Sequence, residues 1–269
     1  MTFRGTNTYV IGTDELCVVD PGPDDDKHLR TIVDIIAGRQ VKCILITHTH
    51  TDHTALASRL QDKVDAPVWG CGRHFWFRDL EQGETHHLSE ATDHTYTPDH
   101  EMTDGEAFGI GSDNLQITAV AMPGHTANHL CFDISGEALL SGDHVMGWAT
   151  TIIAPPDGSM RAYLSSLDKL LQRDDRLFLP GHGDAITEPA ALLRGLKAHR
   201  KMRERAVIEC LERGQVTIPE IVERLYRDTD KRLHGAAALS VLAHIEMLID
   251  EGRVVRLDGV SVKGRYAIG

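Results

Sequence analysis

Several things are scarce in this 269-residue chain, and each shortage excludes something. Cysteine occurs five times, at Cys17, Cys43, Cys71, Cys131 and Cys210, widely spaced and with no C-x-x-C pair. Such an odd, scattered set argues against a disulfide framework and for a reducing compartment, so a cytoplasmic location is expected. No run of consecutive apolar residues approaches the roughly 18 that a membrane span needs, and no membrane partner is expected. Met1-Thr2-Phe3-Arg4-Gly5 lacks a cationic stretch followed by an apolar core, so no secretory signal is read there. Positive charge is also short: 28 Lys+Arg face 40 Asp+Glu, a net charge of −12 that repels nucleic acid at long range. Internal repeats and low-complexity tracts are absent. With 41% apolar and 25% charged residues the composition is that of an ordinary globular protein.

The charge is unevenly placed. Residues 1–184 hold 13 Lys+Arg against 28 Asp+Glu, whereas residues 185–269 hold 15 against 12. This divides the chain into two modules, a main domain over 1–185 and a basic tail over 186–269. In the first, Thr8–Ile11 and Leu16–Val19 read as a hairpin, Asp26–Gly38 as a helix, and Val41–Ile46 as a buried strand. Thr54–Leu60 reads as a helix and Ala66–Trp69 as a strand. Gly70–Gly105 is polar and without periodicity, a long loop that could cover a site. Leu115–Val120, His129–Ile134, Ala138–Leu140 and Leu177–Leu179 read as strands. A helix from about Met160 to Leu171 is capped by Asp157 or Ser159. The tail predicts helices over Glu188–Arg213, Ile218–Tyr226 and Ala236–Glu251. A hairpin follows, Arg253–Leu257 with Ser261–Ala267, turning at Asp258. That order is the order of a winged helix.

What is abundant is histidine, sixteen in all. Four possible metal ligands fall within six residues of the buried-strand pattern, in Thr47-His48-Thr49-His50-Thr51-Asp52-His53. In an extended segment His48 and His50 project to one side, and Asp52 and His53 can turn toward a second ion. Imidazole and carboxylate suit a borderline cation such as zinc. Three further candidates each follow an apolar strand and sit beside a glycine: His125 in Pro123-Gly124-His125-Thr126, Asp143 in Ser141-Gly142-Asp143, and His182 in Pro180-Gly181-His182-Gly183.

These motifs, with Gly5-Thr6-Asn7-Thr8-Tyr9, Asp20-Pro21-Gly22 and the winged-helix tail, resemble the metallo-β-lactamase-fold hydrolases. Within them the chain is similar to the beta-lactamase-like protein 2 group, which includes a single-strand endoribonuclease. The resemblance implies a four-layer αβ/βα sandwich with two Zn2+ per chain at one edge of the sheets. It implies that His48, His50 and His125 hold one zinc, that Asp52, His53 and His182 hold the other, and that Asp143 bridges them. Asp20 would orient a ligand imidazole. Relatives usually carry one more strand before the Gly-Thr-Asn-Thr segment, so either the start is abbreviated or one sheet has lost an edge strand.

Two zinc ions less two carboxylates leave the site positive, suited to an anionic or carbonyl substrate. The implied activity is hydrolysis by zinc-activated hydroxide, with Asp52 and Asp143 as the catalytic carboxylates. His50, where diiron members carry Glu, favours zinc. Two bond types stay open. A phosphodiester, as in single-stranded RNA, draws on the basic tail: Arg194, Lys197, Arg200, Lys201, Arg203 and Arg205 on one helix, and Arg253, Arg256, Lys263 and Arg265 on the hairpin. The alternative for those cations is a solvated face partnered by Glu204, Glu209 and Glu212. An acyl bond in a thioester, lactone or β-lactam fits the same metals. A third, non-enzymatic reading makes the tail a homodimerisation or DNA-binding module beside a vestigial metal site, and the complete ligand set weighs against it. Among the remaining histidines, His129 is expected to support the ligands or pack. His144 points away as a structural residue, and His74, His86, His87, His94 and His100 are expected to be solvated in the long loop. Met146 and Trp148 either line a pocket or pack.

Overall fold

The computed structural model describes residues 5–269; Met1–Arg4, most of the segment read for a secretory signal, lie outside the described residues. A hairpin of β1 (Tyr9–Gly12) and β2 (Glu15–Val19) opens the first sheet. α1 (Asp26–Ile36) follows, its first turn capped by the Asp25 carboxylate, which accepts from the His28 N–H at 2.6 Å. The chain then crosses to β3 (Gln40–Ile46), parallel to β2. Two helical pieces, α2 (Thr51–Thr54) and α3 (Ala57–Val64), replace the single helix predicted over Thr54–Leu60. β4 (Val68–Gly70) and the two-residue β5 (His100–Glu101) complete a sheet of order β1-β2-β3-β4-β5. The second sheet runs β10-β9-β8-β7-β6, built from β6 (Ala107–Ile110), β7 (Leu115–Ala121), β8 (Leu130–Ile134), β9 (Ala138–Gly142) and β10 (Phe178–Pro180). The sequence pattern misses β5 and β6: one is too short to alternate, and the other is four residues broken by Gly109.

Side-chain alternation sorts the second sheet into two cores. Ala119, Leu130, Phe132 and Leu140 face the first sheet, in a core that continues to α1 and α3. Val120, Cys131, Leu139 and Phe178 face outward onto α4 (Met160–Leu171) and α5 (Pro189–Glu212). Helix, sheet, sheet, helix is the four-layer arrangement expected. Ser159, not Asp157, caps α4, accepting from the Ala162 N–H at 3.3 Å.

α5 belongs to two cores: Leu193 and Leu196 pack on the second sheet, while Val207, Cys210 and Leu211 pack in the tail. The tail is a winged helix of α6 (Ile218–Leu225), α7 (His234–Asp250), β11 (Val254–Asp258) and β12 (Arg265–Ile268). Its wing does not turn tightly at Asp258; a 3₁₀ turn at Ser261–Lys263 intervenes and Tyr266 Oη donates to the Ser261 carbonyl at 2.7 Å. The stretch Lys231–Asp250 is apolar and long enough to cross a membrane by composition, but 56% of its most apolar window is buried inside the protein.

α7 also carries a titratable group in this interior. His244 is fully buried, and neither ring nitrogen has a hydrogen-bond partner among the described residues. Burial first, then the Arg200 and Arg203 charges, push its pKa down to about 3. The unfolded chain takes up that proton near pH 6.5 and the folded chain does not. Stability contributed by a neutral His244 is therefore present above pH 6.5 and lost as pH falls toward 3, by about 1.4 kcal/mol per pH unit per proton. His244→Leu is expected to remove one proton from the pH dependence of the denaturant midpoint between pH 4 and 6. An unchanged dependence would contradict the buried neutral imidazole.

Candidate metal centre

Parallel strands that end at the same level gather their following residues at one edge. β2 delivers Asp20 and β3 delivers the histidine motif, with the Asp20 N–H bonded to the Leu45 carbonyl at 2.9 Å. Asp20 adopts φ 48° and turns its carboxylate inward. One oxygen accepts from the Thr47 N–H at 2.9 Å, and the other from Thr47 Oγ1 at 2.7 Å and from His53 Nδ1 at 2.8 Å. From the facing sheet come His125 after β7, Asp143 after β9 and His182 after β10.

All seven residues expected as ligands converge. His48 Nε2 and His125 Nε2 each lie 3.1 Å from His50 Nδ1. His182 Nε2 lies 3.2 Å from an Asp52 oxygen and 3.3 Å from an Asp143 oxygen, and His53 Nε2 lies 3.5 Å from the other Asp143 oxygen. Within 4.8 Å, His48, His50 and His125 form one group, Asp52, His53 and His182 another, and Asp143 joins His48 and His53 between them. The second nitrogen of several rings is tied down: His125 Nδ1 donates to the Ile152 carbonyl at 2.8 Å, and His182 Nδ1 to the Gly5 carbonyl at 3.0 Å. This leaves Nε2 of each aimed inward, as ligation requires.

The electrostatics have the form of a cation site. Burial and the neighbouring imidazoles hold His48 well below the usual histidine range and His50 down at about 3. Burial opposes the charged forms of His53 and His182 as well. Carboxylates around them nevertheless lift His53 to about 9, through Asp20 and Asp143, and His182 to about 10, through Asp143 and Asp52. Asp52 is drawn down to about 2 against its burial by the hydrogen bond from His182. His50 Nε2, His53 Nε2 and Asp143 Oδ1 are buried without hydrogen-bond partners. Imidazole nitrogens, carboxylate oxygens and, in His53 and Asp143, unpartnered atoms facing each other fit metal ions, whose binding would displace the protons of His53 and His182.

The supporting residues separate as well. His129 stacks on His48, ring centroids 5.1 Å apart, and its Nε2 accepts from the Asp143 N–H at 3.2 Å. His144 points away onto the Tyr163 ring. Two loop histidines depart from their expected solvation. His74 Nε2 and His86 Nε2 lie 2.7 and 2.5 Å from opposite oxygens of the buried Asp157, and His74 Nδ1 lies 2.8 Å from Thr49 Oγ1, between two ligands. The separations are those of charge-assisted hydrogen bonds, shorter than between the candidate ligands, so this cluster clamps the loop over the ligand motif. Sequence reading missed it because Asp157 lies 71 residues beyond His86. The loop is also held from the tail: Arg78 bonds Glu84 and Glu246, and Arg256 bonds Glu81 at 2.5 Å.

A family model described as the metallo-beta-lactamase superfamily matches residues 1–182. The chain belongs to that superfamily. A second model, the beta-lactamase associated winged helix domain, matches residues 217–263. The chain is 28% identical to a Beta-lactamase-like protein 2 homolog of Caenorhabditis elegans, covering 94% of this chain and 81% of that one. It is 29% identical to an atrochrysone carboxyl ACP thioesterase of Aspergillus chevalieri, over 83% and 68% respectively. A beta-lactamase domain protein from Burkholderia ambifaria shares the fold with a TM-score of 0.78, at 24% identity over 98% and 87%. As a member of this superfamily the chain is a hydrolase with a candidate His/Asp metal centre.

Gly181 tests how tightly that centre is built. A Cβ there would lie 2.6 Å from Asp143 Oδ1 and 2.8 Å from His53 Cε1. Gly181→Ala is expected to displace both and weaken metal uptake, read by chelator competition. Asp20→Ala, which frees the His53 ring, should cost about 10–100-fold in affinity. Affinity unaltered in both variants would show that the candidate ligands do not depend on this packing.

Proposed function

We propose that this chain is a binuclear zinc hydrolase acting on a carbonyl bond, with a thioester as the leading substrate class. The observation that carries the metal part is the convergence of seven donor residues. When bound, two zinc ions would supply hydroxide near neutral pH and polarise the oxygen under attack. His48, His50 and His125 would hold one, Asp52, His53 and His182 the other, and Asp143 would face both. Asp52, 26% exposed at its side chain, is placed to accept a proton from water entering the cleft, while Asp143 and His53 lie deeper. Asp20, through His53, keeps that ring from rotating out of reach. A cytoplasmic setting agrees with five free, buried cysteines.

The thioester preference draws on the Aspergillus relative and on the state of the tail. Arg253 is engaged by Glu204 and Glu251, Arg265 by Asp258, Lys201 by Glu204, and Lys197 by Asp168. Together with the Arg256–Glu81 pair, this occupies five of the ten cations first read as contacts for RNA, four of the other five lying on α5. Single-stranded RNA remains the second reading because Arg194, Arg205 and Lys263 are exposed and carry no carboxylate partner among the described residues.

Elemental analysis of the purified protein is expected to find two zinc ions per chain, and His182→Ala to leave nearer one. Chelation should abolish cleavage of an acyl-N-acetylcysteamine thioester and zinc should restore it, with Asp52→Asn losing most of the turnover. Iron in place of zinc, or two ions retained by His182→Ala, would overturn the metal assignment. RNA cleaved in preference to the thioester, and weakened by Lys263→Glu, would put the second reading first.

A further inference from the structure

A cavity of about 340 Å³ lies where the main domain meets the tail, lined by Met146, Trp148, Ile152, Tyr226 and Leu233 among others. Its wall is the back of the metal centre. Ile152 offers the carbonyl that holds His125, and Thr151 Oγ1 donates to the Asp143 carbonyl at 2.8 Å. Trp148 packs beside Gly183, next to His182: a Cβ on that glycine would lie 2.8 Å from the indole. A group seated here therefore touches the segment that positions His125 and Asp143.

Apart from a few hydroxyls, among them Thr229 and Ser240, the lining is apolar except on one side. His199, Arg200 and Arg203 enter from α5, the first and last four residues apart and so on one face. Arg200 is 3% exposed, yet no carboxylate lies within 4 Å of it among the described residues. Its guanidinium donates to the Thr151 carbonyl and, at 3.3 Å, to Ser240 Oγ, and its Nε is unpartnered. Arg203 lies 4.2 Å over the Tyr226 ring, reaches the Leu225 carbonyl only at 3.4 Å, and also has a buried, unpartnered Nε. His199 Nδ1 is buried without a partner too. Burial and the two arginines push the His199 pKa down, which keeps it neutral and able to share a hydrogen bond. Charges taken from water without a counter-charge are costly. Elsewhere along α5 the neighbouring cations Lys197 and Lys201 have their carboxylates.

We infer that the missing counter-charge is the substrate's own: this cavity holds an anionic group, carboxylate or phosphate, against Arg203 and His199. Trp148, Tyr226 and Leu233 cover the apolar body that joins this anion to the scissile bond. The site rests on the hydrolase reading for its purpose, and its binding is measurable without it. Arg203 presents a planar fork suited to two oxygens, and Arg200 beneath it supplies charge while fastening the Thr151 loop to α5.

Two matched pairs of probes distinguish the sources of the anion. Pantetheine 4′-phosphate against pantetheine tests a phosphate, and glutaryl- against butyryl-N-acetylcysteamine tests a distal carboxylate. Calorimetric titration into metal-free full-length protein is expected to show one anionic member binding at least tenfold tighter than its neutral partner. Arg203→Gln should erase the preference, and Arg203→Lys should retain part of it. Ala236→Trp, which fills the cavity without touching a cation, should weaken both members and keeps the test open should Arg203→Gln not fold. Equal binding within both pairs, or a preference that survives in a folded Arg203→Gln protein, would overturn the site. If every thioester is inert while anion binding still depends on Arg203, the hydrolase reading fails and the anion site stands. If thioesters are cleaved with no regard to charge or to Arg203, the reading stands and the site fails.

Discussion

Packing five imidazoles and two carboxylates into one dry edge is unfavourable unless something fixes and organises them. Desolvation, helped by the neighbouring imidazoles, holds His48 and His50 unprotonated, while Asp143 and Asp52 stay anionic beside them. The site is therefore maintained by what surrounds it. Asp20 is the central brace, because a single buried carboxylate fixes the start of the ligand loop through Thr47 and the angle of a ligand ring through His53. It can do so because β2 and β3 are parallel and in register, so their ends lie side by side.

Around that brace the protein adds a layer of fastening that depends on distant chain segments. The Asp157 carboxylate ties His74 and His86 of the long loop to the segment before α4, and Asn128 binds the Gly72 carbonyl at 2.9 Å. The wing and α7 hold the same loop through Arg256–Glu81 and Arg78–Glu246. The tail thus serves the main domain structurally whatever else it binds. Among its arginines, Arg253, Arg256 and Arg265 of the wing have protein carboxylates, whereas Arg200 and Arg203 on α5 face a cavity without one. That division, and not net basicity, separates scaffolding from ligand recognition.

Much of the fold could be read along the chain, because the relevant signals are local. Alternation marks β3, β7 and β8, caps and helical spacing mark α1 and α4, and H-x-H-x-D-H sets four donors within reach of one another. The errors fall where pairing partners decide the conformation. β5 exists only because β4 offers it an edge, and the wing turn opens because Tyr266 Oη bonds the Ser261 carbonyl.

The sequence by itself determined the ligand types, their attachment to strand ends, and the boundary between an acidic body and a basic tail, since each follows from residue identity and spacing. Only the tertiary structure decided which charges stay unpaired. Arg253 and Arg203 look alike in the sequence, yet one meets Glu204 and the other meets Tyr226 and an open cavity. His74 and His87 look alike too, yet one is buried against Asp157 and the other is exposed. Pairing of charges depends on which distant segments are brought within about 4 Å, and that distance is set by packing two sheets and α5 around their cores.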